Sequence, residues 1–173
     1  MMAPHERKQR GQRSDGPREA KEFDQVIIEI ARVTRVMAGG KRMRFRACVV
    51  IGDRKGKVGT ATGKGADVTL AVNKAVNKAK KHMITVPTIN ETIPHRVDIK
   101  EGAAKIMIKP APKGTGIIAG GAVRIVLDLA GVSNVVAKIL GSSNKINNVN
   151  ATIRALKKLK RIEPRPAKAL ATK

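Results

Sequence analysis

The stretch "RFRACVVIGDRKGKVGTATGKGADVTLAVNKAVNKAK", residues 44–80, decides the architecture of the first half of the chain. Phe45, Ala47, Val49 and Ile51 alternate with Arg44, Arg46 and Cys48, the period-two pattern of a strand with one buried face. "DRKG" at 53–56 is a tight hairpin turn, and "KVGTATG" is the returning strand. Asp67 stands where a helix N-cap belongs. Beyond it Val68, Ala71, Val72, Ala75, Val76, Ala79 and Met83 recur at steps of three and four, which makes one apolar helix face. Lys74, Lys78 and Lys81 lie off that face, with Lys80 at its edge.

Upstream, "QVIIEIARVTRVM" is β-branched and long for one strand. Its alternation slips near Ala31–Val33, which predicts a bulge there. Together these segments give a β-β-β-α unit over residues 22–88. Downstream, Pro87 and Pro94 mark a linker, and "IPHRVDI" and "AAKIMIK" form a second hairpin across "KEG". A Gly/Pro loop, "PAPKGTGIIAGG", leads to an apolar helix "AVRIVLDLAG", a strand "NVVAKILG" and a last helix opened by "SSN". The expected fold is therefore α+β in two small domains, β-β-β-α and then β-β-α-β-α over 89–160. Residues 1–21 read as a flexible basic tail and 161–173 as another. Each domain is small, so packing against the other or against a partner is expected to supply part of its stability.

The chain's 173 residues carry 36 Lys and Arg against 13 Asp and Glu, a formal net charge of +23. A field this positive attracts polyanions, either nucleic acid or an anionic membrane surface. No apolar run approaches a spanning helix, and the N-terminal residues hold no apolar signal-peptide core. Fourteen of the cations and five of the acids fall in residues 22–88, so the first domain holds the largest surplus. Cys48 is the one cysteine, which excludes an internal disulfide and suits a reducing cytoplasm. With two Phe, no Tyr and no Trp, the chain has little on which to stack bases. A nucleic-acid partner would be held by backbone and shape.

Five glycines, Gly52, Gly56, Gly59, Gly63 and Gly65, lie in the hairpin beside Arg54, Lys55, Lys57 and Lys64. Bare backbone ringed by cations reads as a surface that an anionic backbone approaches closely. With Arg44 and Arg46 from the neighbouring strand and the lysines of the following helix, it has the layout of a double-stranded-RNA-binding fold. Catalysis is poorly supported. His5, His82 and His95 have no metal-ligand spacing; His95 alternates with Ile93 and Val97 and reads as a packed strand residue. "GSSN" at 141–144 precedes a helix and reads as a cap. "KGTGIIAGGAVR" at 113–124 is a glycine-rich loop before a helix, a place where anions can bind. Its spacing is not that of a dinucleotide site, and the one nearby acid, Asp128, lies on a helix. No cofactor, metal or small-molecule substrate is expected.

The segment from Gly40 to Val72 resembles the signature of the small-subunit ribosomal protein S5 family in its bacterial form. The likeness rests on Gly40-Lys41, Phe45, Ala47, Val50-Ile51, Gly52-Asp53, Gly56, Val58-Gly59, Ala61, Asp67-Val68 and Ala71-Val72, and "GTGIIAGGAVR" and "GSSN" resemble the family's second-domain segments. The resemblance implies a cytoplasmic, non-enzymatic constituent of the small ribosomal subunit that binds its RNA at the junction of head and body. It also implies contacts with proteins S4 and S8 and with mRNA near the entry region, and a part in subunit assembly and accuracy. By the same likeness Thr34–Met43, with Arg35, Gly39, Gly40, Lys41 and Arg42, reaches toward RNA of the head. Gly116, Gly120, Gly121 and Arg124 fall near the S4 contact. A free-standing double-stranded-RNA chaperone or regulator would use the same chemistry and stays open as an alternative. A small-molecule kinase-like enzyme is a remoter one.

Overall fold

The computed structural model describes residues 23–160. Strands β1 (Asp24–Met37), β2 (Gly40–Gly52), β3 (Lys57–Gly65) and β4 (Ile84–Thr85) make a sheet in the order β1-β2-β3-β4, antiparallel throughout. Helix α1 (Val68–Lys81) lies between β3 and β4 in sequence. The second sheet has the order β5-β6-β8-β7, from β5 (Val97–Glu101), β6 (Ala104–Pro110), β7 (Ile117–Ile118) and β8 (Val135–Ile139), with α2 (Gly121–Leu129) and α3 (Lys145–Lys158). The α+β architecture in two units agrees with the sequence reading. Both tails lie outside the described residues.

The alternation in β2 sets which face meets which layer. Phe45, Ala47, Val49 and Ile51 pack with Ala61 against Ala71, Ala75 and Ala79 of α1. On the opposite face, Val50 and Val58 join a second, larger core with Ile106, Leu127 and Leu156 of the C-terminal unit. That core runs without a break from the first sheet through α2 and α3 to the second sheet. The layers are α1, first sheet, α2 with α3, second sheet. Side chains such as Val50, Ile106 and Leu127 are fully buried, each worth about 1.5–3 kcal/mol relative to exposure. The expected mutual support of the two small domains is thus a shared core.

A backbone clasp reinforces that seam. The Arg54 N–H donates to the Leu129 carbonyl at 3.1 Å, satisfying a carbonyl at the end of α2, whose last turn carries no basic residue. Gly131, at φ +75°, follows closely, and a Cβ there would lie 2.6 Å from the Arg54 carbonyl carbon.

Four details differ from the sequence reading. The register of β1 on β2 shifts between Ile27 and Glu29 rather than at Ala31–Val33, because Val26 and Ile28 turn toward the interdomain core. Strands β4 and β7 are two residues each, too short to show a period, so the second unit is β-β-β-α-β-α. His95 lies before β5, not in a strand: its Nδ1 is 3.0 Å from the Arg96 carbonyl oxygen, and its Nε2 accepts the Lys160 N–H at 3.2 Å. Asp67 occupies the N-cap of α1 without a side-chain capping bond, whereas Asn144 caps α3 through Oδ1, which accepts the Ile146 N–H at 3.1 Å.

Candidate nucleic-acid interface

Strands β1 and β2 outrun β3. The last β3 residue, Gly65, pairs with Phe45, while β1–β2 pairing continues from Val33↔Arg44 to Met37↔Gly40. The excess projects as a two-stranded ribbon about 17 Å long at ~3.4 Å per residue. Thr34–Met43 is therefore paired strand closed by a tight turn. Gly39 has φ +83° in that turn, a conformation glycine adopts without strain.

Directly opposed residues share a face. The face away from α1 thus carries Arg35 opposite Arg42, Val33 opposite Arg44, and Ala31 opposite Arg46, which in turn opposes Lys64. Half of this face is covered by the C-terminal unit at Val50 and Val58. The other half is open and basic. A shallow cleft of about 250 Å³ lies on it, lined by Val33, Thr34, Arg35, Met37, Arg42, Arg44 and Lys64. Arg35, Arg42, Arg44 and Lys64 are exposed and Arg46 is half-buried. The carboxylate on that face is Glu29, opposite Cys48 toward the interdomain seam. Among the described residues, none of these five cations is in an ion pair. Val36 is 75 % exposed on the ribbon's other face, across from Lys41.

The remaining basic candidates are not part of this shelf. Lys74, Lys78 and Lys81 are exposed on α1, across the sheet from it, and Lys80 sits 6.0 Å from the centre of the Phe23 ring. Arg54, Lys55 and Lys57 lie at the far end of β2 and β3. Arg54 pairs with Asp24 at 2.9 Å and is committed to the interdomain clasp. The Asp53 carboxylate accepts N–H bonds from Lys55 (2.7 Å) and Lys57 (2.9 Å). Slight desolvation opposes ionisation there, but these backbone bonds outweigh it and hold the carboxyl below its usual value.

The glycines of β3 have a different task from the one their cations suggested. A Cβ on Gly59 would lie 2.8 Å from the Ala79 carbonyl oxygen, and one on Gly63 2.7 Å from the Ala75 nitrogen. Both residues face α1. The bare backbone brings a helix close to the sheet; it does not receive an RNA backbone, and Gly59 leaves the set of RNA-facing residues. Cys48 is buried, and burial pushes its thiol up despite a hydrogen bond with Thr60, as befits an inert side chain.

In the C-terminal unit, Gly116 at φ +73° ends the loop before β7; Gly120 is the N-cap of α2, Gly121 its first residue, and Arg124 is exposed on it. Sequence reasoning missed Asn134. It is 4 % exposed, and its Oδ1 accepts the N–H groups of Gly114 (3.0 Å) and Gly116 (3.2 Å), fixing the glycine-rich loop. Thr92 Oγ1 donates to the Asn134 carbonyl at 2.6 Å.

No helix among the described residues is long and apolar enough to cross a membrane. A net charge of +23 and a basic shelf with few carboxylates give the chain a surface suited to a polyanion. Two family models match the chain: ribosomal protein S5, N-terminal domain, over residues 23–87, and ribosomal protein S5, C-terminal domain, over residues 99–170. The chain belongs to the ribosomal protein S5 family, and its role is that of a structural constituent of the small ribosomal subunit in translation.

Proposed function

We propose that the protein binds small-subunit ribosomal RNA through the basic shelf and ribbon of its first sheet, at the junction of head and body. The observation that carries this reading is the open half of that sheet face. Arg35 stands there opposite Arg42 and Arg46 opposite Lys64, with Arg44 between the two pairs and opposite Val33, all five without ion-pair partners among the described residues. Like charges directly opposed in a sheet repel, and an RNA backbone laid across them removes that cost. Arginine suits the task, because its planar fork binds phosphate in bidentate fashion.

The ribbon Thr34–Met43, with Gly39, Gly40 and Lys41 near its tip, extends the contact toward RNA of the head. Lys74, Lys78, Lys80 and Lys81 offer a separate phosphate-binding face on α1, and Lys55 and Lys57 another at the hairpin tip. On the same family grounds, Gly116, Gly120, Gly121 and Arg124 form part of a contact with protein S4. Protein S8 and mRNA at the entry region are further neighbours, and the protein contributes to subunit assembly and decoding accuracy in the cytoplasm. The matched S5 models weigh against the free-standing chaperone reading. The test is binding of the full chain to small-subunit ribosomal RNA against salt. If 6–10 phosphates are neutralised, affinity falls about 10³–10⁵-fold between 50 and 200 mM salt, with duplex DNA as guide. A flat salt response overturns the reading.

A further inference from the structure

The second sheet also has two unlike faces. Val97, Ile106, Ile108 and Ala137 point into the shared core. Among the described residues the opposite face is the outermost layer, and no described helix covers it. The register sets Lys100 directly across from Lys105, Met107 across from Lys138, and Lys109 across from Val136. All four lysines are exposed, while Met107 and Val136 are half-buried between them. Lys100 and Lys105 are directly opposed like charges, an arrangement that destabilises a sheet. Among the described residues no free carboxylate relieves it. Asp98, on the same face, is taken by Arg96 at 2.8 Å, and Glu101 is paired with Arg154. Among the described residues none of the four lysines is in an ion pair. The basic surface continues around the β5 edge into a cleft of about 630 Å³ that includes Lys157 and Lys158 of α3.

We propose that this uncovered face of the second sheet is a second docking surface for the phosphodiester backbone of structured RNA. It rests on the reading that the chain binds RNA, and it adds a site on the far side of the molecule from α1. The chemistry selects a backbone over a protein partner. Protein interfaces have apolar, aromatic-rich centres and are depleted in lysine. Here Met107 stands between Lys105 and Lys109 on its own strand, with Lys138 on one side and the Arg96-paired Asp98 on the other. The exposed Ile118 and Leu140 lie only at the margins of the face, and no aromatic side chain is present. Without aromatics the face cannot stack bases, which leaves the phosphates. Lys105 and Lys109, four residues apart on one strand face, are separated by about 13 Å. Lys100 and Lys138 flank them on the neighbouring strands. Cations spread in this way fit a run of phosphates rather than a single anion. An S5-family chain with RNA on both of its outer layers would tie two RNA segments together.

The test uses the full chain with every one of Lys100, Lys105, Lys109 and Lys138 changed to Gln, which keeps a polar, unbranched side chain one atom shorter and removes the repulsion. The expected result is weaker binding to small-subunit ribosomal RNA, with the salt slope (log K against log[salt]) shallower by about 3, at 0.7–0.9 per phosphate contact. The melting temperature should not fall. Unchanged affinity and slope overturn the proposal. The shelf reading survives that result if an Arg42→Gln/Arg44→Gln/Lys64→Gln variant loses binding. Should the four-lysine variant fail to fold, acetylation of the wild-type chain by an amine-reactive reagent decides. Protection of the four lysines by the RNA supports the site. Equal reactivity with and without RNA, or protection that appears only on adding a protein, overturns it.

Discussion

Gly63→Ala separates the two roles that the β3 glycines could play. In an ordinary strand position, alanine in place of glycine gains about 0.5–1 kcal/mol, because the unfolded chain loses less entropy on folding. Gly63 has no left-handed φ that would cancel this gain. Its Cβ, however, would lie 2.7 Å from the Ala75 nitrogen and 3.1 Å from the Ala75 Cβ, with the Ala71 carbonyl oxygen closer still. Two of these three neighbours are helix backbone, so no side-chain rotation relieves the contact. Overpacking of this kind costs about 1–3 kcal/mol and occasionally more. The net expectation is a loss of about 1–2 kcal/mol. At about 2–4 °C per kcal/mol for a chain of this size, the melting temperature should fall by roughly 2–8 °C. RNA affinity measured well below the melt should be unchanged, since the added methyl points into the sheet–helix seam. Thermal melts by circular dichroism and a binding titration on the same preparation check both halves. Lost RNA binding with an unchanged or raised melting temperature would refute the assignment of this glycine to helix packing. Gly121→Ala is the contrasting case: nothing lies within 4 Å of its Cβ, and the variant should melt no lower than wild type.

Asn144→Ala removes the cap of α3 and should cost about 1 kcal/mol, seen as a lower denaturant midpoint. Asp53 is favoured in its ionised form in the fold. Its contribution is therefore present above the unfolded carboxyl pKa near 4 and lost as pH falls through the lower folded value. Asp53→Asn should accordingly melt lower than wild type at pH 7, with the gap narrowing below about pH 4; a gap independent of pH would contradict the hydrogen-bond account of that turn. Cys48 is buried and its thiol is held protonated, so a thiol reagent should label it only after denaturant is added.

The first unit was legible because its periods are clean. The alternation in Arg44–Ile51 and the three-and-four spacing from Val68 to Met83 both assigned faces correctly. The glycines were misread for a reason visible in the same residues. Gly59, Ala61, Gly63 and Gly65 form a small-residue stripe at every second position, and Ala71, Ala75 and Ala79 form its counterpart on α1. Matching the two stripes would have pointed to close packing, but the surrounding lysines drew the reading outward. The bulge was misplaced because Val26, Ile27 and Ile28 are all apolar, so the parity of β1 is ambiguous where the C-terminal unit also takes apolar contacts. Asn134 gave no signal: a lone asparagine between Ser133 and Val135 has no period, and its role depends on Gly114 and Gly116 some twenty residues away. The four outward lysines of the second sheet show the alternation of an ordinary solvated face. Only the register of three strands places them together.

The most direct test of the central claim is co-sedimentation of the full chain with small ribosomal subunits through a high-salt gradient. It should be run for wild type and for the chain with Arg35, Arg42, Arg44 and Lys64 each changed to Gln. These four side chains are exposed on the open shelf, so their removal should leave the melting temperature nearly unchanged. The account predicts that wild type travels with the subunit at a salt concentration that strips the variant from it. Wild type left at the top of the gradient, or a variant retained as firmly as wild type, would contradict it.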